Sequence, residues 1–274
     1  MKVAIIGTSR IGGATALCLA NDERVTELLL INRTQSKAEC LRMDLMGTFP
    51  NRGSIIKVVE ITKASKSDII IITGCALYAD YGALVLEENR RYIKDIFRQM
   101  VPKKTANIIV IGSPPDKLAF ITLQESKLDS KNVIGFGGQL DGNCLKYLIW
   151  NEQHKFPTEK ECYFIGVHGE RGISIIRAHV KNKELIGNQT KNFYTLFLSS
   201  HDSSLYGAAS EIARLARALM VDEEMVMHVS YCNEKYGRFI LWPCRISKTG
   251  ISGPIPLELT ADEKRLFEQL VNGE

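Results

Sequence analysis

The first half of the chain alternates short, mostly apolar runs with stretches of helical character. Val3–Ile6 is the first run, followed by Gly7 and a small-residue helix ending near Ala20; Leu28–Ile31, Ile55–Val59, Ile69–Thr73, Ile108–Ile111 and Asn132–Ile134 follow as further strands. Between them, Ser36–Met46 and Leu84–Met100 carry helical patterns. Continuous runs of β-branched residues, without alternation, mark strands buried on both faces, as in a parallel sheet covered by helices. The strand–helix–strand rhythm predicts an α/β fold of the doubly wound, Rossmann type.

The rhythm changes after about Gly138. Leu140–Trp150 reads as helix, Tyr163–Ile165 and Gly172–Val180 as strands, and Ala208–Leu219 as an amphipathic helix with Ile212, Leu215, Ala216 and Leu219 on one stripe. Met225–Tyr231, Arg238–Trp242 and Ile255–Leu259 read as strands, and Thr260-Ala-Asp-Glu263 is a capping-box start for a terminal helix. The pattern predicts a dinucleotide-binding unit over 1–139 and a mixed α+β unit over 140–274.

Composition narrows the function classes. Of 274 residues, 45% are hydrophobic and 24% charged, which suits a soluble globular chain. The net charge of +4 is scattered rather than blocked, so nothing calls for nucleic acid, while a basic pocket for an anionic ligand is permitted. Seven cysteines, an odd number with no CxxC spacing, argue against a disulfide framework or structural zinc and for a reducing, cytoplasmic setting. No apolar run approaches the roughly 18 residues of a membrane span, and MKVAIIG leads straight into a strand, so neither membrane insertion nor a leader is expected.

Chemistry concentrates at two places. Gly7-Thr-Ser-Arg-Ile-Gly12-Gly13 joins the first strand to the first helix. Such a loop lets a pyrophosphate approach backbone N–H groups at a helix N-terminus. Ser9 stands where a glycine is expected, and its hydroxyl can contact phosphate. The second strand ends in Asn32-Arg33, where an NAD site ordinarily offers a carboxylate to the ribose. An arginine attracts a 2′-phosphate that a carboxylate would repel, so NADP is expected to be accepted at least as well as NAD. Alternatively, Arg33 covers the adenine face or is solvated. The second place is Gly166-Val-His-Gly-Glu-Arg-Gly172. Alone, its histidine fits an ordinary turn.

Taken in order, Gly7–Gly13, Met43-Asp-Leu45, Ile72-Thr-Gly74, Val133-Ile-Gly135, Leu140-Asp141, Gly166-Val-His168-Gly169, Leu205-Tyr-Gly-Ala-Ala209 and Ile255–Thr260 resemble the lactate/malate dehydrogenase family across nearly the whole chain. The resemblance implies that Asp141 and His168 form an aspartate–histidine pair for proton chemistry, with Glu170 where the family usually has aspartate. An imidazole can accept a hydroxyl proton near neutral pH, and a carboxylate fixes its tautomer and stabilises the imidazolium. It further implies that Gly7, Ser9, Arg10, Ile11, Gly12, Asn32, Arg33, Thr73, Gly74 and Ser113 hold the nicotinamide dinucleotide, that Asn89 lies at the substrate, and that the chain assembles as a homodimer or homotetramer. No metal site is expected.

The departures are as informative. Cys144 occupies the place of the family's carboxylate-binding arginine, and the loop stretch Cys75–Asn89 contains no arginine, with about Gly82 at the carbonyl-polarising place. The fifth strand ends Gly112-Ser113-Pro114-Pro115 where the family has Asn-Pro, and Ser113–Pro114 is a candidate cis bond. Arg10, Arg90, Arg91, Lys146 and Arg171 are the available replacement cations, Arg171 standing nearest His168 in sequence and Lys146 expected to point elsewhere on its helix. Three readings follow. One is a dehydrogenase of 2-hydroxy acids with a rebuilt carboxylate site. The second is a dehydrogenase of a less anionic substrate, suited to an apolar loop bearing Leu77, Tyr78, Tyr81, Leu84 and Val85. The third is a dinucleotide-binding relative without turnover.

Overall fold

The computed structural model describes residues 1–75, 82–201 and 204–273. Its first half runs β1 (Lys2–Ile6), α1 (Arg10–Ala20), β2 (Glu27–Ile31), α2 (Gln35–Thr48), β3 (Ile56–Val58), β4 (Ile69–Ile72), α3 (Gly82–Gln99), β5 (Asn107–Ile111), α4 (Pro115–Ser126) and β6 (Val133–Phe136). The six strands are parallel and stand side by side as β3-β2-β1-β4-β5-β6, the doubly wound order. The four isoleucines of β4 are fully buried between β1 and β5, which is why that strand is apolar at every position. Alternation along β1 divides the core. Val3 and Ile5 pack toward α1, α2 and the later Ile212–Leu219 stripe, whereas Ala4 and Ile6 pack toward Ile93, Phe97 and Leu118 on the opposite face.

The second half supplies α5 (Gly138–Gln153), β7 (Cys162–Ile165), β8 (Ile173–Ile176), α6 (Lys183–His201), α7 (Tyr206–Ala218), β9 (Met225–Asn233), β10 (Arg238–Ser247), β11 (Gly250–Pro254) and α8 (Ala261–Asn272). β9 pairs antiparallel with β6, and β10 and β11 follow it, so nine strands form one sheet. β7 and β8 make a separate antiparallel pair. Gly166 and Leu241 exchange backbone hydrogen bonds of 2.8 and 2.9 Å, which fixes the end of β7, and the chain just beyond it, against β10.

The expected elements differ from the structure in a few places. Ile255–Leu259 is not a strand; β11 ends at Pro254, and beyond it Pro256 has no N–H to donate to a ladder. Leu257 and Leu259 nonetheless face the core, packed with Phe267 and Val271 of α8. The run Gly172–Val180 is strand only over Ile173–Ile176, because the N–H groups of Arg177 and Ala178 both turn to the carbonyl of Glu161. Helices α4 and α6 carry no clear sequence signal. The Ser113–Pro114 bond is cis, and the Thr260–Glu263 capping box is formed. All seven cysteines are unpaired thiols. Among the described residues no helix is long and apolar enough to cross a membrane, and no group of three potential ligands could hold a metal.

Candidate active site

The crevice opens where the strand order reverses, between β1 and β4. The chain leaves β1 through Gly7 at φ +104°, a conformation that favours glycine, and enters α1 within three residues. Packing there is tight. A Cβ on Gly12 would lie 1.9 Å from the Gly7 carbonyl oxygen, and the Thr73 hydroxyl donates to that same oxygen at 2.5 Å. Ser9 caps α1 without using its hydroxyl on the helix, and both Ser9 and Arg10 are exposed beside its first turn. Bare glycine backbone, an uncommitted hydroxyl and the positive end of a helix fit the pyrophosphate of a dinucleotide.

At the end of β2, the Asn32 amide donates to the Thr8 hydroxyl at 2.8 Å and its oxygen accepts from the Thr34 N–H at 2.9 Å. The Arg33 guanidinium lies over the Tyr92 ring, 4.5 Å from its centre. Arg33, Gly74, Asn89, Arg91 and Tyr92 line a cavity of about 290 Å³, together with Glu88 and Asp95. Asn89 is buried, and its amide donates to the Ser113 carbonyl at 3.5 Å.

The second half brings Asp141 and His168 together across 27 positions. Asp141 sits in the first turn of α5, and its carboxylate meets His168 Nδ1 at 2.5 Å while accepting the Gly169 N–H at 3.3 Å. Both side chains are nearly buried, at 5% and 11% exposure. The His168 ring rests on bare backbone, since a Cβ on Gly137 would come within 2.9 Å of its Cγ. Burial disfavours the imidazolium, but the charge and hydrogen bond of Asp141, with a smaller push from Asp116, outweigh it and hold His168 above its usual range. A carboxylate can only accept, so Nδ1 carries the hydrogen of this contact.

Two adjoining cavities meet at this histidine. A small one, about 40 Å³, is lined by Ile11, Ser113, Gly137, His168, Ser204 and Ala208, so it joins α1 and the loop after β5 to the relay. The larger, about 280 Å³, is lined by Leu140, Asn143, Cys144 and Tyr147 of α5, by Phe193 of α6, and by Asp141, His168, Ser204 and Gly207. Ile11 of α1, Ser113 after β5 and the Asp141–His168 pair thus border one connected space.

Residues 1–135 match the family model described as lactate/malate dehydrogenase, NAD binding domain. The chain belongs to the lactate/malate dehydrogenase family. It is an oxidoreductase of that type with a nicotinamide cofactor. Similarity extends over the whole length. L-lactate dehydrogenase 2 of Lactococcus lactis subsp. lactis (strain IL1403) is 26% identical, covering 99% of this chain and 95% of that one. L-lactate dehydrogenase 1 of Bacillus cereus (strain ATCC 10987 / NRS 248) is also 26% identical, with coverages of 98% and 95%. Among solved structures, malate dehydrogenase from Salinibacter ruber superposes with a TM-score of 0.84 at 20% identity, covering 100% of this chain and 95% of that one. Minor L-lactate dehydrogenase from Enterococcus mundtii gives 0.85 at 23%, with coverages of 99% and 95%. Likeness at that identity shows the shared fold.

Within this lactate/malate dehydrogenase relative, four of the five candidate cations line other grooves or pair elsewhere, and Arg10 is exposed at the start of α1. Arg171 lines a separate groove with Ile173, Lys183 and residues of α8. Lys146 pairs with Glu159 at 2.6 Å. Arg90 borders another cavity, with Asp116 and Arg238, and Arg91 the one beside Arg33. Cys144 is buried in the wall of the larger cavity, and burial, with Asp141 adding to it, pushes its thiol up to about 12, so it is neutral there. Among the described residues none that lines this cavity is Lys or Arg. The remaining residues, 76–81, 202–203 and 274, read Ala-Leu-Tyr-Ala-Asp-Tyr, Asp-Ser and Glu and include neither. Leu77, Tyr78 and Tyr81 lie outside the described residues; Leu84 is exposed and Val85 buried.

Leu140, Asn143, Tyr147, Phe193, Ser204, Gly207 and Gly137 were not among the expected site residues. The first three could have been found, because positions 140, 143, 144 and 147 share one helical face. Nothing in the local sequence points to Phe193 or Ser204.

Proposed function

We propose that this chain interconverts an alcohol and a carbonyl compound with His168 as the proton carrier and Asp141 as its orienting partner. The observation that supports it is the buried Asp141–His168 Nδ1 contact at 2.5 Å beside a cavity shared with Ile11 and Ser113. A bound nicotinamide supplies the hydride acceptor. As the C–OH carbon gives up its hydride, the O–H bond breaks and its proton passes to His168 Nε2; Asp141 then faces a cationic ring and stabilises it. The reverse direction starts from the protonated ring. On this reading residues 1–139 hold the dinucleotide, through Gly7, Ser9, Arg10, Ile11, Gly12, Asn32, Arg33, Thr73, Gly74 and Ser113, and residues 140–274 supply the relay and the substrate wall.

Of the expected substrates, a 2-hydroxy acid requires a cation facing the relay, and the lining of the 280 Å³ cavity favours the less anionic alternative. At the adenosine end the absence of a carboxylate at Asn32 and the presence of Arg33 support acceptance of NADP. Exposed Leu17 of α1, Met43 of α2 and Tyr206 of α7 support assembly into a homodimer or homotetramer, and unpaired thiols suit a cytoplasmic setting. The test is turnover of a panel of 2-oxo acids and uncharged ketones with each reduced dinucleotide, for the parent chain and His168→Asn. Turnover that depends on His168 is expected. No turnover across the panel, or turnover indifferent to the substitution, refutes the proposal.

A further inference from the structure

From the wall of the relay cavity we infer that the substrate is an uncharged ketone or secondary alcohol bearing an aromatic arm, and that Tyr147 is the residue on which that arm lies. This rests on the proposed alcohol–carbonyl chemistry and adds the substrate class. Leu140, Asn143, Cys144 and Tyr147 stand at positions i, i+3, i+4 and i+7 and present one face to the cavity. Leu140 begins this face, next in sequence to the acid that contacts His168, and an aromatic ring ends it. Tyr147 lies six positions beyond Asp141, roughly 9 Å along the axis, and its side chain leans back toward Cys144 because helical Cα–Cβ bonds tilt toward the N-terminus.

Across this face stands Phe193, so two rings and a neutral thiol border the space next to the relay. The volume, about 280 Å³, corresponds to roughly nine waters at ~30 Å³ each, more than a three-carbon acid needs. Tyr147 is 51% exposed although it lines the cavity, and its ring centre lies 5.9 Å from that of Trp150, which stacks on Phe156 at 5.5 Å. An exposed aromatic strip that continues into a cavity beside a proton relay is suited to a flat apolar group. Charge decides the other end of the ligand. Among the described residues that line the cavity, Asp141 is the carboxylate and none is lysine or arginine, so a substrate carboxylate would face Asp141 with no cationic partner besides the His168 ring.

The experiment uses four ketones in a two-by-two set: butanone and 4-phenylbutan-2-one without charge, pyruvate and phenylpyruvate with it. Reduction rates with the full chain and either reduced dinucleotide give kcat/KM for each. The expected result is that 4-phenylbutan-2-one exceeds butanone by about tenfold or more, the scale of one buried ring with a ring partner. Each uncharged ketone should also exceed its charged counterpart. In Tyr147→Ala the aryl-to-alkyl ratio should collapse toward one, while Tyr147→Phe should restore it. A second readout needs no turnover. In a Trp242→Phe background the remaining tryptophan, Trp150, should change its emission on titration with 4-phenylbutan-2-one, and Tyr147→Ala should abolish the change.

The outcomes separate the two claims. Turnover with equal aryl and alkyl rates, or preference for pyruvate and phenylpyruvate, overturns the aromatic, uncharged substrate and leaves the relay standing. Loss of all turnover with a saturable, Tyr147-dependent response of Trp150 supports the arm site and counts against the proposed chemistry. No response of Trp150 to the ketone, with emission that instead moves with protein concentration, overturns the inference in favour of a second copy of the chain covering the strip.

Discussion

Replacing Asp141 by Asn removes one charge and leaves the shape. In the parent chain the carboxylate contacts His168 Nδ1 at 2.5 Å, is itself 5% exposed, and is the main reason His168 titrates above its usual range against the effect of burial. An amide oxygen can still accept from Nδ1 but carries no charge to stabilise the imidazolium. A hydrogen bond to a charged group contributes about 1.5–3 kcal/mol, so alcohol oxidation should slow by roughly 10- to 150-fold, since ~1.4 kcal/mol is one decade. The sign of the pH effect follows. Oxidation needs the neutral ring, so the acid limb of kcat/KM reports the His168 pKa, and in Asp141→Asn that limb moves to lower pH. Reduction needs the protonated ring, so its basic limb moves to lower pH as well. Stability should change in the same sense. A raised pKa in the fold contributes stability below the ordinary histidine value that is lost as pH rises through the folded pKa, and the variant should lose that dependence. Initial rates in both directions over the accessible pH range, with urea midpoints alongside, make the assay. A full kcat effect with unmoved limbs would refute the electrostatic role assigned to Asp141.

Three further outcomes are expected. Burial holds His228 neutral, lowering it from 6.5 to about 4, so the stability it contributes is present above pH 6.5 and lost as pH falls toward 4. At ~1.4 kcal/mol per unit this amounts to roughly 3–4 kcal/mol at most, and urea midpoints for His228→Phe should fall less steeply over that window than those of the parent. Gly12→Ala should abolish measurable binding of NADH and NADPH, read by calorimetry, because its methyl must occupy space 1.9 Å from the Gly7 oxygen; unchanged affinity would contradict the cradle. Arg177 grips both oxygens of Glu263 at 2.6 Å and also reaches the Glu258 carbonyl, holding α8 on the hairpin, so Arg177→Ala should cost about 1 kcal/mol after allowance for partial exposure, seen as a lower Tm.

Much of the fold was legible because its signals were local. The isoleucine runs of β4 and β5 admit few positions other than the middle of a buried sheet, and the small-residue turn after β1 has few alternatives once Gly12 must clear Gly7. The strand expected at Ile255–Leu259 failed because alternation reports burial on one face and not pairing; Leu257 and Leu259 are half-buried beside α8 without a ladder. In the site, Asp141 and His168 could be paired through the family resemblance and not from their local sequence, and the course of the loop beyond His168 could not be read at all. Arg171 is three residues from that histidine and lines a different groove, on the side of α8. The substrate wall was opaque for a related reason. Phe193, Ser204 and Gly207 come from three segments that only tertiary packing brings to α5, and a lone phenylalanine in a helix looks the same whether it faces a core or a ligand.

The most direct test is a single turnover. The chain, loaded with oxidised dinucleotide and mixed with 4-phenylbutan-2-ol, is followed for the absorbance of reduced nicotinamide and, with a pH indicator, for the released proton. Both signals are expected to appear together in the parent, and His168→Asn to slow both by at least two decades while dinucleotide affinity, measured separately, stays within about twofold. Hydride transfer at the parent rate in His168→Asn would contradict this expectation.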